Sequence, residues 1–140
     1  MIRTLGPPAR LSPSVRARIE LLRERARQGL TVTCGGVSME PVIRRGEAVV
    51  VAAARPQRGD VAAFVTRRGE LELHRLVARA PGLPWWVHAG DNQAAPHLGL
   101  VHRDQIVGVV PARRAGPSAL VRARAAVRLV RAAARWARQR

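Results

Sequence analysis

Along residues 13–28 the apolar positions Val15, Ile19, Leu22 and Ala26 recur at spacings of four, three and four, the period of one face of a helix. Ser12 before Pro13 supplies an N-cap and a proline in the first helical position, and Gly29 supplies a stop. The pattern predicts one amphipathic helix over about residues 13 to 28, with Arg16, Arg23 and Glu24 off the apolar stripe.

From Leu30 the pattern changes to short β-rich runs, "LTVT", "EAVVVAA", "DVAAFVT", "ELELHRLVA", "PWWVHAG" and "QIVGVV". They are separated by "RRGE", "RPQRGD", a second "RRGE" and "APGLP", which are turn or hairpin material. The two "RRGE" stretches have unlike flanks and read as two turns of similar chemistry. After Gly116-Pro117 the arginines at 124, 128, 131, 135 and 138 form a helical stripe, with Leu120, Ala123, Val127, Val130, Ala134 and Ala137 on another face. The expected organisation is an arm and amphipathic helix over 1–29, a small mainly β domain over 30–112, and a basic amphipathic C-terminal helix over 113–140.

Composition narrows this picture. A chain of 140 residues, 47% hydrophobic and 24% charged, has the size and balance of one folded domain with appendages. The net charge is +16, and every one of its 25 basic Lys+Arg residues is arginine. Such charge suits anionic lipid or nucleic-acid phosphate, and a codon bias toward arginine would produce it equally well. The basic helix with Trp136 is of the type that rests on anionic membranes, or else it packs on the β domain with a solvated arginine face. Nucleic-acid binding is disfavoured, because one helix precedes the β domain where a helix-turn-helix needs two, and aromatic residues are only 3%.

The single cysteine, Cys34, excludes an internal disulfide and a cysteine-built metal site, and no metal or organic cofactor is expected. No uncharged run approaches the roughly 18 to 20 residues needed to span a bilayer, and the N-terminal stretch lacks the apolar core of a signal peptide. A cytoplasmic or peripherally membrane-associated protein is expected. The adjacent Trp85 and Trp86 suit a membrane interface or an apolar peptide groove, or one belongs to the core and the other to the surface.

The candidate chemistry starts from "CGGVSMEPVIRRGE", where Ser38 stands between a glycine-rich turn and Met39-Glu40-Pro41. A serine hydroxyl is a weak nucleophile that needs a general base in reach and donors for the oxyanion. Without lysine a Ser-Lys dyad cannot exist, which leaves His74, His88, His97, His102 and the carboxylates. His74 is the best placed, set among aliphatic residues in an expected strand, where it is either an oriented base or a core or edge histidine satisfied by a backbone group. Asp91, in "VHAGDNQ", follows a strand at a glycine turn, where a carboxylate can point back at a neighbouring strand end or simply close an Asx-type turn.

The ordered set "GGVSMEPVIRRGE", "RGDVAAF", "LHRLV", "HAGDN" and "IVGVV", spanning roughly Cys34 to Val110, resembles the type I signal peptidase superfamily, which includes the self-cleaving repressors. The Ser-Met-Glu-Pro and His-Arg boxes look like its archaeal and endoplasmic-reticulum branch, in which histidine replaces a lysine base. That resemblance implies a signal-peptidase-like β domain. It also implies a serine endopeptidase with Ser38 as nucleophile, His74 as general base and then acid, and Asp91 orienting or balancing the imidazolium. Met39 would line the substrate side and Pro41 would shape the turn that exposes the serine. Val37 and Gly36 stand where the branch has glycine and a hydroxyl residue, so backbone N–H groups including that of Ser38 are the expected oxyanion donors. The implied partner is a precursor or leader peptide bound as an added strand and cleaved after small residues; the alternative is a non-catalytic peptide-binding module on the same fold.

Overall fold

The computed structural model describes residues 11–79, 81–92 and 98–113, together with the isolated positions 127, 131, 135 and 138. The expected C-terminal basic helix, including Trp136, therefore lies almost wholly outside the described residues. So does His97.

Helix α1 runs Pro13–Arg27, and the Ser12 hydroxyl caps it by accepting from the Val15 N–H at 3.3 Å. Gly29 at φ 90° ends it, in the left-handed region that glycine enters without a Cβ penalty. Val15, Ile19 and Ala26 are buried and Leu22 packs beside them, so the stripe read from the sequence is the buried one. Arg23 is not simply solvated. Its guanidinium donates to the carbonyls of Arg103, Asp104 and Ile106 at 2.9–3.1 Å and ties the helix to a distant turn.

Seven strands follow. β1 (Leu30–Thr33) and β2 (Ala48–Val51) pair antiparallel. β3 (Val61–Val65), β4 (Leu71–Arg79), β5 (Trp85–Ala89), β6 (Gly99–His102) and β7 (Ile106–Val109) form a second antiparallel sheet in the order β6-β5-β4-β3-β7. The mainly β character is as expected, and both "RRGE" stretches are turns with Gly46 and Gly69 at positive φ. Strand β6 was not expected from "HLGLVH". Its four residues carry too short an apolar run to announce a strand, and it exists by pairing with β5.

The five-stranded sheet is buried on both faces around the uninterrupted buried strand β3. One face, with Val61, Ala63, Val65 and Leu73, packs against α1, Met39, Ile43, Val49 and Val51. The other gathers Ala62, Phe64, Leu76, Trp86, Val101 and Ile106. Of the paired tryptophans, Trp86 is a core residue with Arg79 lying 5.7 Å from its ring centre, whereas Trp85 is half-buried against His102. Cys34 is buried. Among the described residues no helix is long and apolar enough to cross a membrane.

Candidate active site

Ser38 lies in the turn region between β1 and β2, and the segment 90–92 holds that turn. The Asn92 N–H donates to the Ser38 carbonyl at 2.9 Å, and Asn92 Nδ2 donates to the Val37 carbonyl at 2.9 Å. Gly90 supplies the space. A Cβ built on Gly90 would stand 2.6 Å from the Ser38 oxygen and 3.1 Å from Ser38 Cβ, so the serine occupies the place where a side chain would be.

The strand register bears on the side to which His74 projects. β4 and β5 pair with Arg75 opposite Ala89 and Leu76 opposite His88; carried one residue further, this places His74 opposite Gly90. Directly opposed residues in an antiparallel pair project to the same face. On this extension of the register His74 projects to the face on which a Gly90 side chain would stand.

His74 and His88 meet on that face. Their Nδ1 atoms are 2.9 Å apart, and their ring centres are 4.9 Å apart. Phe64 sits beside both, at 6.0 Å from His74 and 4.8 Å from His88. Burial pushes His74 below the ordinary imidazole value, partly opposed by the carboxylates of Glu72 and Asp91. His88 is pushed down to about 4 by burial and by His74. Both shifts favour the neutral ring, the form that a general base needs.

Asp91 bears on His74 through the charge of its carboxylate, which favours the protonated ring. It makes no hydrogen bond to His74; its carboxylate is gripped by Arg75, whose Nε and NH2 donate to Oδ1 and Oδ2 at 2.8 and 2.7 Å. Alternation along β4 explains this, since successive side chains take opposite faces and Arg75 and Asp91 lie on the face away from His74. The same guanidinium, only 4% exposed as a residue, also donates to the carbonyls of Gly59 and Arg113. Asp91 fixes the segment that seats the serine, and it acts on His74 only through space.

Met39, expected to line the substrate side, packs inward. It is fully buried in the core beneath α1, where it anchors the turn that displays its neighbour. Pro41 is exposed after a cis Glu40–Pro41 bond. Among the described residues, the Ser38 N–H has no backbone acceptor and Ser38 Oγ makes no hydrogen bond to His74. Sequence reasoning missed two contributors. His88 was only one of several alternative bases, and Asn92, although part of "GDN", carried no signal beyond its position.

His102 lies apart, paired with Trp85 and accepting from the Asp104 N–H. Among the described residues no three His, Cys, Asp or Glu side chains gather as metal ligands do. A depression of about 290 Å³ between α1 and β7, lined by Arg23, Arg27 and Arg103 with Ala53, Ala54 and Ile106, does not reach Ser38 or His74. Compared with protein-family models, curated proteins and solved structures, the chain matches none.

Proposed function

We propose that this protein is a serine endopeptidase of the type I signal peptidase kind, cleaving a precursor or leader peptide with Ser38 as nucleophile and His74 as general base. The observation that supports this reading is the seating of Ser38 against Gly90, two residues after His88, whose ring contacts His74. Ser38 Oγ would attack the scissile carbonyl while His74 takes its proton and later delivers it to the leaving amine. The uncommitted Ser38 N–H is available to the oxyanion. Catalytic hydrogen bonds often tighten only when substrate is bound, so their absence in the free protein is compatible with this chemistry. The basic C-terminal segment would bring the enzyme to an anionic membrane surface, where such precursors reside.

One observation favours a second reading, a peptide-binding module without turnover: the His74 ring bonds to His88, and among the described residues no hydrogen bond joins it to Ser38. A single experiment separates the two. Wild type, Ser38→Ala and His74→Ala are incubated with a diverse peptide library in the presence of anionic vesicles, and products are read by mass spectrometry. Cleavage by wild type alone supports the peptidase. Peptide retention without cleavage by any of the three supports the binding module.

A further inference from the structure

Aspartate holds the imidazole in most serine-histidine sites, yet here the nearby aspartate is occupied by Arg75 on the other face of the sheet. What touches His74 is a second histidine. We propose that His88 is the positioning residue of this site, accepting the Nδ1–H of His74 and leaving His74 Nε2 as the basic atom that faces Ser38. This rests on the peptidase reading and adds to it a role for His88, the first residue of "HAGDN", to which the resemblance assigned none.

The geometry carries the assignment. Two Nδ1 atoms at 2.9 Å share one proton, because two bare lone pairs or two N–H groups would repel at that distance. His74 Nδ1 is therefore committed to His88, and only Nε2 remains for a serine proton. For Nε2 to be a base, the ring's proton must reside on Nδ1 and be donated across the contact. His88 then accepts on its own Nδ1 and carries its proton on Nε2.

His88 is held for this task from two sides. Phe64 packs against its ring. On the neighbouring edge strand, Gly99 lies under it so closely that a Cβ there would stand 2.5 Å from both Cε1 and Nε2. The carboxylates that act on His74 are Glu72 on β4 itself and, through space from the other face where Arg75 holds it, Asp91, while β3 contributes no titratable residue. The depressed affinity of His88 for a proton keeps its Nδ1 lone pair available through the neutral range.

The proton balance is closed. When Ser38 Oγ attacks, its proton passes to His74 Nε2, and the resulting imidazolium still donates Nδ1–H to neutral His88. The Nε2 proton then leaves with the amine product, and His88 neither gains nor loses a proton.

Two substitutions separate positioning from packing. His88→Phe keeps a ring against Phe64 and His74 but offers no acceptor; His88→Asn loses the ring but can place an amide oxygen where Nδ1 stood. Nitrogen-detected NMR of the histidine rings reads the tautomer directly. A serine-reactive fluorophosphonate reads nucleophilicity at Ser38. The expected result is His74 in the Nδ1–H form in wild type and His88→Asn, and a mixture of forms in His88→Phe. Ser38 labelling in His88→Phe is expected to slow by roughly 10- to 100-fold, below the larger losses seen when a charged orienting group is removed, with at least partial recovery in His88→Asn. An Nε2–H tautomer of His74 in wild type, or His88→Phe labelling as fast as wild type, overturns the proposal. The correct tautomer in a protein whose Ser38 never labels would instead sink the peptidase reading and leave the histidine pair standing.

Discussion

Replacing Gly90 with alanine tests the seat of the serine directly. The added methyl would lie 2.6 Å from the Ser38 carbonyl oxygen, and that oxygen must retreat by about 0.7 Å to regain an ordinary carbon–oxygen separation of about 3.3 Å. The clash is with backbone, so no rotamer change relieves it. Gly90 is not in the left-handed region, so alanine adds no backbone strain and the displacement is the main effect. A shift approaching 1 Å at a reacting group costs on the order of 100-fold in rate, or about 2.7 kcal/mol of transition-state stabilisation.

The assay is the rate of fluorophosphonate labelling at Ser38, corrected for the folded fraction from circular dichroism. Gly82→Ala is the control: its φ is 71° and open space surrounds it, so it should cost about 1 kcal/mol of stability through strain without altering labelling. A loosened Asn92 N–H bond to Ser38, read by amide hydrogen exchange, should accompany the Gly90→Ala effect and needs no catalysis to be seen. Labelling of folded Gly90→Ala within twofold of wild type, with Asn92 exchange unchanged, would refute the seating of Ser38 on Gly90.

Burial lowers the proton affinity of His74, so the labelling rate should rise with pH through a midpoint below the free imidazole value of 6.5; a flat profile from pH 4 to 8 would remove histidine as the base. His88 titrates near 4 when folded and near 6.5 when unfolded, so the unfolded chain binds the extra proton between these values. Stability should fall as pH drops through that window, by about 3 kcal/mol in all from this group, and be unaffected by it above pH 7.5. Thermal melts of wild type and His88→Phe should converge in acid by that amount, and parallel curves would contradict the neutral burial of His88. Arg75→Met leaves the carboxylate of Asp91 and two carbonyls without their donor and should cost about 3–5 kcal/mol in urea unfolding. A loss below 1 kcal/mol would mean that the ion pair is dispensable.

Helix α1 and six of the seven strands were legible because each carries its own period or its own β-branched run between turn residues. β6 was not, since Gly99 to His102 becomes a strand only through its partner β5. At the candidate site, Ser38 and His74 were legible as residue types in a suggestive order. The partner of His74 was not, because it depends on which side of the sheet each residue of "LHRLV" and "VHAGDN" faces. Asp91 lies three residues after His88, close in sequence to the histidine contact yet on the wrong face to make it. The burial of Met39 was not legible either: a methionine beside Ser38 reads equally well as substrate-facing or as an anchor, and its burial shows only in the packing with α1.

The alternation of His74 and Arg75 has a consequence for how this chain can vary. The two consecutive residues pass chemistry to one side of the sheet and anchorage to the other, so the pairing frame of β4 carries information that neither side chain carries alone. Sliding β4 by one position would present a guanidinium to His88 and an imidazole to Asp91, removing the proposed base and the clamp in one step. A length change in the turn 66–70 that enters β4 threatens such a slip. One in the segment 80–84 that leaves β4 falls beyond these residues, and the bulge between Leu76 and Ala78 already accommodates a mismatch there. Sequence drift in such a protein would be tolerated by count of residues before the histidine far less than by their identity.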